Sequence, residues 1–314
     1  MRKGSMARWS VATALAATVA LLLMACGSGA RSAAPDRVLG WRANVGNGEV
    51  VSFAVFQATG APKAIGIMIS ADALASLPTE HSDGHHCFDR DGDGVTARPA
   101  ECFETHEFVI PLPDVVNRRS DIPFKWVLFN WNQHGHAPPG VYDVPHFDVH
   151  FYMTPIADAF AIHAGPCGPE FVNCDAFAVG KQPVPAGHMH PDFSDVDAVA
   201  PAMGNHLIDL SGPEFQGEPF TRSWIYGVYG GRVTFYEEMV ALAYLLSRPD
   251  ACAPIKATPA VAVGGYYPTQ RCVRYDAGAD AYVVSLEEFV YREASPQAET
   301  SGNPHARAHR HHAG

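Results

Sequence analysis

The chain has 314 residues, 47% of them hydrophobic and 18% charged, which supplies apolar surface for a sizeable core and excludes a disordered or coiled-coil protein. Its 22 Lys and Arg stand against 33 Asp and Glu, a formal net charge of -11 that repels a phosphate backbone, so no nucleic acid partner is expected.

In chain order, residues 1–25 carry Arg2, Lys3 and Arg8 ahead of an apolar run from Val11 to Met24, with no acidic side chain before Asp36. This is the pattern of a secretory signal peptide, set aside from the fold. The run ends Leu23-Met24-Ala25-Cys26-Gly27 and resembles a bacterial lipobox, in which the cysteine, here Cys26, is lipidated and becomes the new N-terminus. The alternative is an uncleaved transmembrane anchor, but the run is shorter than the about 20 residues a spanning helix needs. The expected location is the bacterial cell envelope, facing the periplasm or the exterior, with the lipid as the membrane contact. Residues 26–37 are rich in Gly, Ser, Ala and Arg and read as a flexible tether.

A single β-rich domain is expected over residues 38–293. Short runs of Val, Phe, Tyr and Trp between Gly and Pro clusters predict strands at 49–57, 63–69, 106–110, 124–131, 146–153, 206–210, 223–229, 232–238, 270–275 and 281–286. Short helices are expected at 71–77 and 238–246. The fold class is mainly β, a barrel or a sandwich with a few short helices. Residues 294–314 are polar, contain His305, His309, His311 and His312, and read as a disordered tail with weak metal affinity at most.

Six cysteines follow Cys26 in neighbouring twos: Cys87 with Cys102, Cys167 with Cys174, and Cys252 with Cys272. In an exported chain they predict disulfides. A thiolate zinc site is the alternative and lacks any C-x-x-C pair. Inside the first cysteine pair, Asp89, Asp91 and Asp93 occupy positions one, three and five of a calcium-type loop, with Gly94 at six and the Val95 carbonyl at seven. Position twelve is Ala100 and Glu101 falls one step late, so the reading is a disulfide-closed loop at 87–102 that binds calcium outside an EF-hand. The competing reading is an acidic surface turn.

The densest chemistry is Asn130-Trp131-Asn132-Gln133-His134-Gly135-His136 followed by His146-Phe147-Asp148-Val149-His150-Phe151-Tyr152. Alternate strand residues share a face, so His146, Asp148 and His150 point one way and Phe147, Val149 and Phe151 the other. At 3.3 Å per residue, His146 and His150 are about 13 Å apart, too far for one ion to serve both on a straight strand. Further on, His206 leaves a glycine turn. Gly230-Gly231 then predicts a two-residue hairpin pairing Tyr229 with Arg232, Tyr226 with Phe235 and Trp224 with Glu237. That register puts Glu237 on an apolar face, where an unpaired charge is costly, and makes Glu238 an ordinary solvent carboxylate. One or two of His136, His146 and His150, with His206 and Glu237, would form a site for Zn, Fe or Mn. Asp148 is a further ligand, the acceptor orienting a histidine, or a general base. A satisfied hydrogen-bond network is the alternative to a metal. His188 and His190, in a proline-bounded loop, are weaker candidates, and His85 and His86 weaker again.

The segments 131–140, 145–152, 203–206 and 220–239 resemble the TTHB-like domain family of exported bacterial proteins, named after a thermophile protein placed under an extracytoplasmic stress sigma factor. The resemblance covers roughly residues 105–246 and is carried by the H-F-D-x-H-F-Y run. The family pattern has Glu-Pro-Met where this chain has Glu237-Glu238-Met239, which implies that Glu237 is the equivalent acid. No activity accompanies the family. Cupins are similar only in their His and Glu inventory, since their H-x-H spacing is absent. G-x-S-x-G, H-E-x-x-H and the nucleotide-binding glycine loops are also absent. The expected function is a metal-binding or stress-response lipoprotein, with a metal-dependent envelope enzyme, hydrolase or oxidoreductase, as the alternative. Self-association into a homo-oligomer is left open.

Overall fold

The computed structural model describes Met1, residues 36–79, Val95, 105–163 and 174–295. The leader with Cys26, the tether before residue 36, the loop residues Asp89, Asp91, Asp93 and Glu101, the cysteines Cys87, Cys102 and Cys167, His85 and His86, and the tail from residue 296 lie outside the described residues. Val95 is described and exposed.

Alternating and fully apolar runs fold as two antiparallel sheets. The six-stranded sheet has the order β1 (Val38–Val45), β2 (Gly48–Phe56), β3 (Pro62–Ser70), β13 (Ala281–Arg292), β12 (Gly265–Asp276), β11 (Asp250–Pro254). The seven-stranded sheet has the order β4 (His106–Pro111), β5 (Trp126–Asn132), β6 (His146–Tyr152), β10 (Arg232–Ala241), β9 (Arg222–Tyr229), β8 (Gly204–Asp209), β7 (Phe193–Ala200). Neither sheet closes on itself, so the fold is sandwich-like rather than a barrel. Ile65, Ile67 and Ile69 of β3 and Val284 and Leu286 of β13 share one core with Val127 and Phe129 of β5, Phe147, Val149 and Phe151 of β6, and Tyr226 and Tyr236 of β9 and β10. Among the described residues no helix is long and apolar enough to cross a membrane.

All ten predicted strands are present. The three that were not predicted, β1, β7 and β11, are edge strands, half exposed and without a continuous apolar face. The helix at 71–77 is the single turn α1 (Ala71–Leu74), capped by the Ser70 hydroxyl, which accepts from the Ala73 amide. The helix at 238–246 is corrected: β10 continues to Ala241, and only α2 (Leu242–Leu246) is helical. Cys252 and Cys272 are disulfide-bonded directly across β11 and β12, as their spacing predicts.

The hairpin register also needs correction. Arg232 pairs with Tyr229 and Val233 with Val228, but Phe235 then pairs with Gly227, Tyr236 with Tyr226, Glu237 with Ile225 and Glu238 with Trp224. Thr234 is an extra residue in β10, a bulge that exchanges the faces of everything beyond it. Trp224 and Tyr226 therefore enter the core, and Glu237 turns to the opposite side of the sheet. Glu238 is not a solvent carboxylate: it is 1% exposed and lies between Arg222 Nε at 2.6 Å and Arg271 Nη1 at 2.8 Å. Arg271 belongs to β12, so this ion pair ties the two sheets together; burial without such partners would be very costly.

Candidate metal centre

β5 and β6 are buried along their whole length, which requires cover on both faces. One face meets the other sheet. The opposite face is covered at one end by a cluster of Trp126, Leu128, Tyr152, Ala159, Met203 and Phe235, and at the other by Tyr142, Ile208, Phe220, Ile225, Met239 and Ala241. A row of polar side chains lies on this same face. β6 contributes His146, Asp148 and His150, and β10 places Glu237 opposite His150 and Met239 opposite Asp148. β8 contributes His206, just after Gly204, whose φ is +84° and where an added Cβ would fall 2.5 Å from the Val228 carbonyl oxygen. His206 lies beside Gly227, and a Cβ on Gly227 would fall 2.1 Å from the Phe235 ring. That ring packs edge-on against both His150 and His206. His136 arrives from the 133–145 loop, its amide donating to the Tyr142 carbonyl at 3.0 Å.

These residues form two sets, each of two imidazoles and one carboxylate. In the first, Asp148 Oδ2 is 3.3 Å from His136 Nε2, and Oδ1 is 3.2 Å from His146 Nε2. In the second, Glu237 Oε1 is 3.4 Å from His150 Nε2, and Oε2 is 3.9 Å from His206 Nε2. Within each set, one ligand atom from every residue lies within 4.8 Å of the others. Ligands about 2.1 Å from a tetrahedral ion are about 3.4 Å from one another, so both spacings suit a metal.

The second ring nitrogens explain the orientation. Nδ1 of His136 lies 2.8 Å from the Ala137 carbonyl, that of His146 2.7 Å from Val144, that of His150 3.2 Å from Leu128, and that of His206 2.9 Å from Ala198. A carbonyl only accepts, so each Nδ1 carries the proton and each Nε2 is turned toward a carboxylate. His146 Nε2, Asp148 Oδ1 and Glu237 Oε2 are buried and have no hydrogen-bond partner. Asp148 Oδ2 is steadied by the Asn132 amide at 2.8 Å.

Electrostatics differ between the sets. Burial alone would push the Asp148 carboxyl up, but His146 and His136 beside it hold it well below the usual range. Burial works against charge on His136, and Asp148 overrides it, leaving its pKa raised. Burial, with the negative charges of Asp148 and Glu238 nearby, pushes Glu237 well above the ordinary range. Burial draws His150 down to about 3 and also lowers His206. A divalent cation reverses the penalty on Glu237, because it favours an ionised carboxylate and neutral imidazoles.

The expectation of one centre built on Glu237 is therefore corrected. His150 and His206 meet Glu237, whereas His136 and His146 meet Asp148, because β6 is straight enough to keep its two histidines apart. His188 is buried in a separate cleft that Lys125, Arg232 and Thr258 also line, and His190 faces Asp192 at 3.8 Å; neither joins the row. A neighbouring triad was not foreseen: the Tyr142 hydroxyl lies 2.9 Å from Ser223 Oγ and donates to Glu214 at 3.3 Å, and Ser223 also donates to Glu214. No motif spacing in the sequence links Glu214 to Tyr142 or Ser223. Asn132 was legible, since it alternates with Trp131 and so shares the face of His146. No protein-family model, curated protein or solved structure matches the chain.

Proposed function

We propose that this chain is a transition-metal-binding protein of the cell envelope, whose resident ion is held by His150, His206 and Glu237. The observation that carries the reading is the common orientation of the imidazoles: backbone carbonyls hold Nδ1 of His150 and His206, both Nε2 atoms face the Glu237 carboxylate, and Glu237 Oε2 is buried without a hydrogen-bond partner. A closed hydrogen-bond network would instead give Glu237 Oε2 a donor. Two imidazoles and a carboxylate suit Zn, Fe or Mn. The envelope location is supported by the leader and by Cys26 in its lipobox-like context.

The second reading, a metal-dependent envelope enzyme, is favoured by one feature: three protein ligands leave a coordination position open, as catalytic sites require and closed structural sites do not. Binding without turnover remains our primary reading, because Glu237 and His150 are each 1% exposed.

The test is elemental analysis of the full chain purified without an affinity tag, with His305, His309, His311 and His312 changed to Ala. Bound transition metal is expected, and Glu237→Gln should remove the ion held by this set. Metal that survives Glu237→Gln undiminished would overturn the assignment. X-ray absorption of the loaded protein should count the ligands: three protein ligands plus water supports the enzyme reading, and four protein ligands defeats it.

A further inference from the structure

We propose that His136, His146 and Asp148 form a second, separate metal site, for a divalent transition-metal ion that exchanges with solvent faster than the ion at Glu237. This inference rests on the reading that the outer face of the seven-stranded sheet holds metal.

Each set is complete in itself, with its own carboxylate and its own pair of imidazoles. The rings on β6 cannot be shared. His146 is anchored through Nδ1 to Val144, before the start of its own strand, whereas His150 is anchored to Leu128 on the neighbouring strand. Four residues separate them, about 13 Å of extended chain. Asp148 and Glu237 are diagonal neighbours on paired strands, about 7–8 Å apart at Cα, which leaves room for one ion at each. The atoms of the first set owe nothing to Glu237: His146 Nε2 faces Asp148 Oδ1 at 3.2 Å, on side chains that are 0% and 7% exposed, and His136 Nε2 is within hydrogen-bond reach of Asp148 Oδ2 at 3.3 Å. Two imidazoles 3.2 and 3.3 Å from one buried carboxylate have the spacing of ligands about 2.1 Å from a shared ion.

Access sets the difference in exchange. The His136 side chain is 41% exposed, whereas those of His206, Glu237 and His150 are 14%, 2% and 1% exposed. The first set opens to water through His136; the second lies beneath the Phe235 ring and its neighbours. Loss of an ion from the first set requires only the loop histidine to swing away, and loss from the second requires the cover to move.

The test is equilibrium dialysis of the full-length chain, with the four tail histidines changed to Ala, against buffered free Zn2+, read as equivalents retained. Two equivalents are expected. Glu237→Gln should leave one, His136→Ala should leave one, Asp148→Asn should leave one, and the double variant Glu237→Gln/His136→Ala should leave none. Circular dichroism confirms folding, and His136 stands in the 133–145 loop, outside every strand. Transfer of Zn2+ to a chromophoric chelator should show two phases, the faster one missing in His136→Ala. Two equivalents retained by His136→Ala, or both lost by Glu237→Gln alone, would overturn the second site. A single equivalent lost only with Glu237 would overturn it too while leaving the proposed function standing. No bound Zn2+ in the parent chain would defeat both.

Discussion

At the scale of single residues, the positions that shape the centre include some that bear no ligand atom. Gly227 is the clearest. Its missing side chain admits the Phe235 ring, and that ring packs against both His150 and His206, with centroids 4.9 and 5.4 Å away. Gly227→Ala would place a methyl 2.1 Å from the ring, which packs against both histidines and Tyr152 and would have to shift among them. Overpacking of this kind costs about 1–3 kcal/mol. Displacing a group that positions metal ligands weakens affinity by roughly 10–100-fold. Urea unfolding and Zn2+ titration of Gly227→Ala should show both losses, the affinity loss confined to the Glu237 set. An unchanged affinity would mean that Phe235 only fills space. Thr234 acts by a different route: as the bulge residue it decides that Glu237 faces the histidines and Glu238 the core.

Elements divide the stabilising work in a way that can be tested independently of the metal. β11 is an edge strand, held to β12 by the Cys252–Cys272 bond, which closes a loop with a sequence separation of 20. Loop-closure entropy assigns such a bond about 3 kcal/mol. Cys252→Ser/Cys272→Ser should lower unfolding stability by about that amount while leaving metal stoichiometry unchanged, since both cysteines lie in the other sheet. Unaltered stability would show that β12 holds β11 without the bond. The same division explains what was legible in advance. Central strands such as β5, β6 and β10 carry apolar residues on one or both faces, so composition and period reveal them. The edges β1, β7 and β11 bury too little to leave that imprint, as in the Asp-rich β7 and the Pro-ending β11. The facing of β6 followed from alternation alone. That of β10 did not, because one bulged residue inverts parity without altering the apolar pattern on either side. The division of the histidines between two carboxylates was half visible: strand rise forbade sharing between His146 and His150, but which acid each would meet depended on strand order, a long-range property.

For the whole molecule, the sandwich uses the two faces of its larger sheet for different ends, a dry core on one side and a buried polar row on the other. The row is assembled from β6, β8, β10 and the 133–145 loop, stretches far apart in sequence that converge only in the folded state. An unfolded chain cannot hold these groups together, so metal bound here must stabilise the native fold by mass action. Free metal at a thousandfold above its dissociation constant contributes about 4 kcal/mol per site. For a domain near this size, that corresponds to roughly 8–16 °C in the thermal midpoint. Adding EDTA in excess Ca2+, so that the calcium expected at 87–102 is not stripped, to the metal-loaded protein, again with alanines at the tail histidines, should therefore lower the midpoint by at least that order, and restoring Zn2+ should recover it. Glu237→Gln/His136→Ala, already unable to hold either ion, should melt at the same temperature with or without chelator. If the parent chain also melts unchanged in EDTA, the ions are not bound among these strands, because binding confined to the native arrangement cannot leave its unfolding equilibrium unmoved.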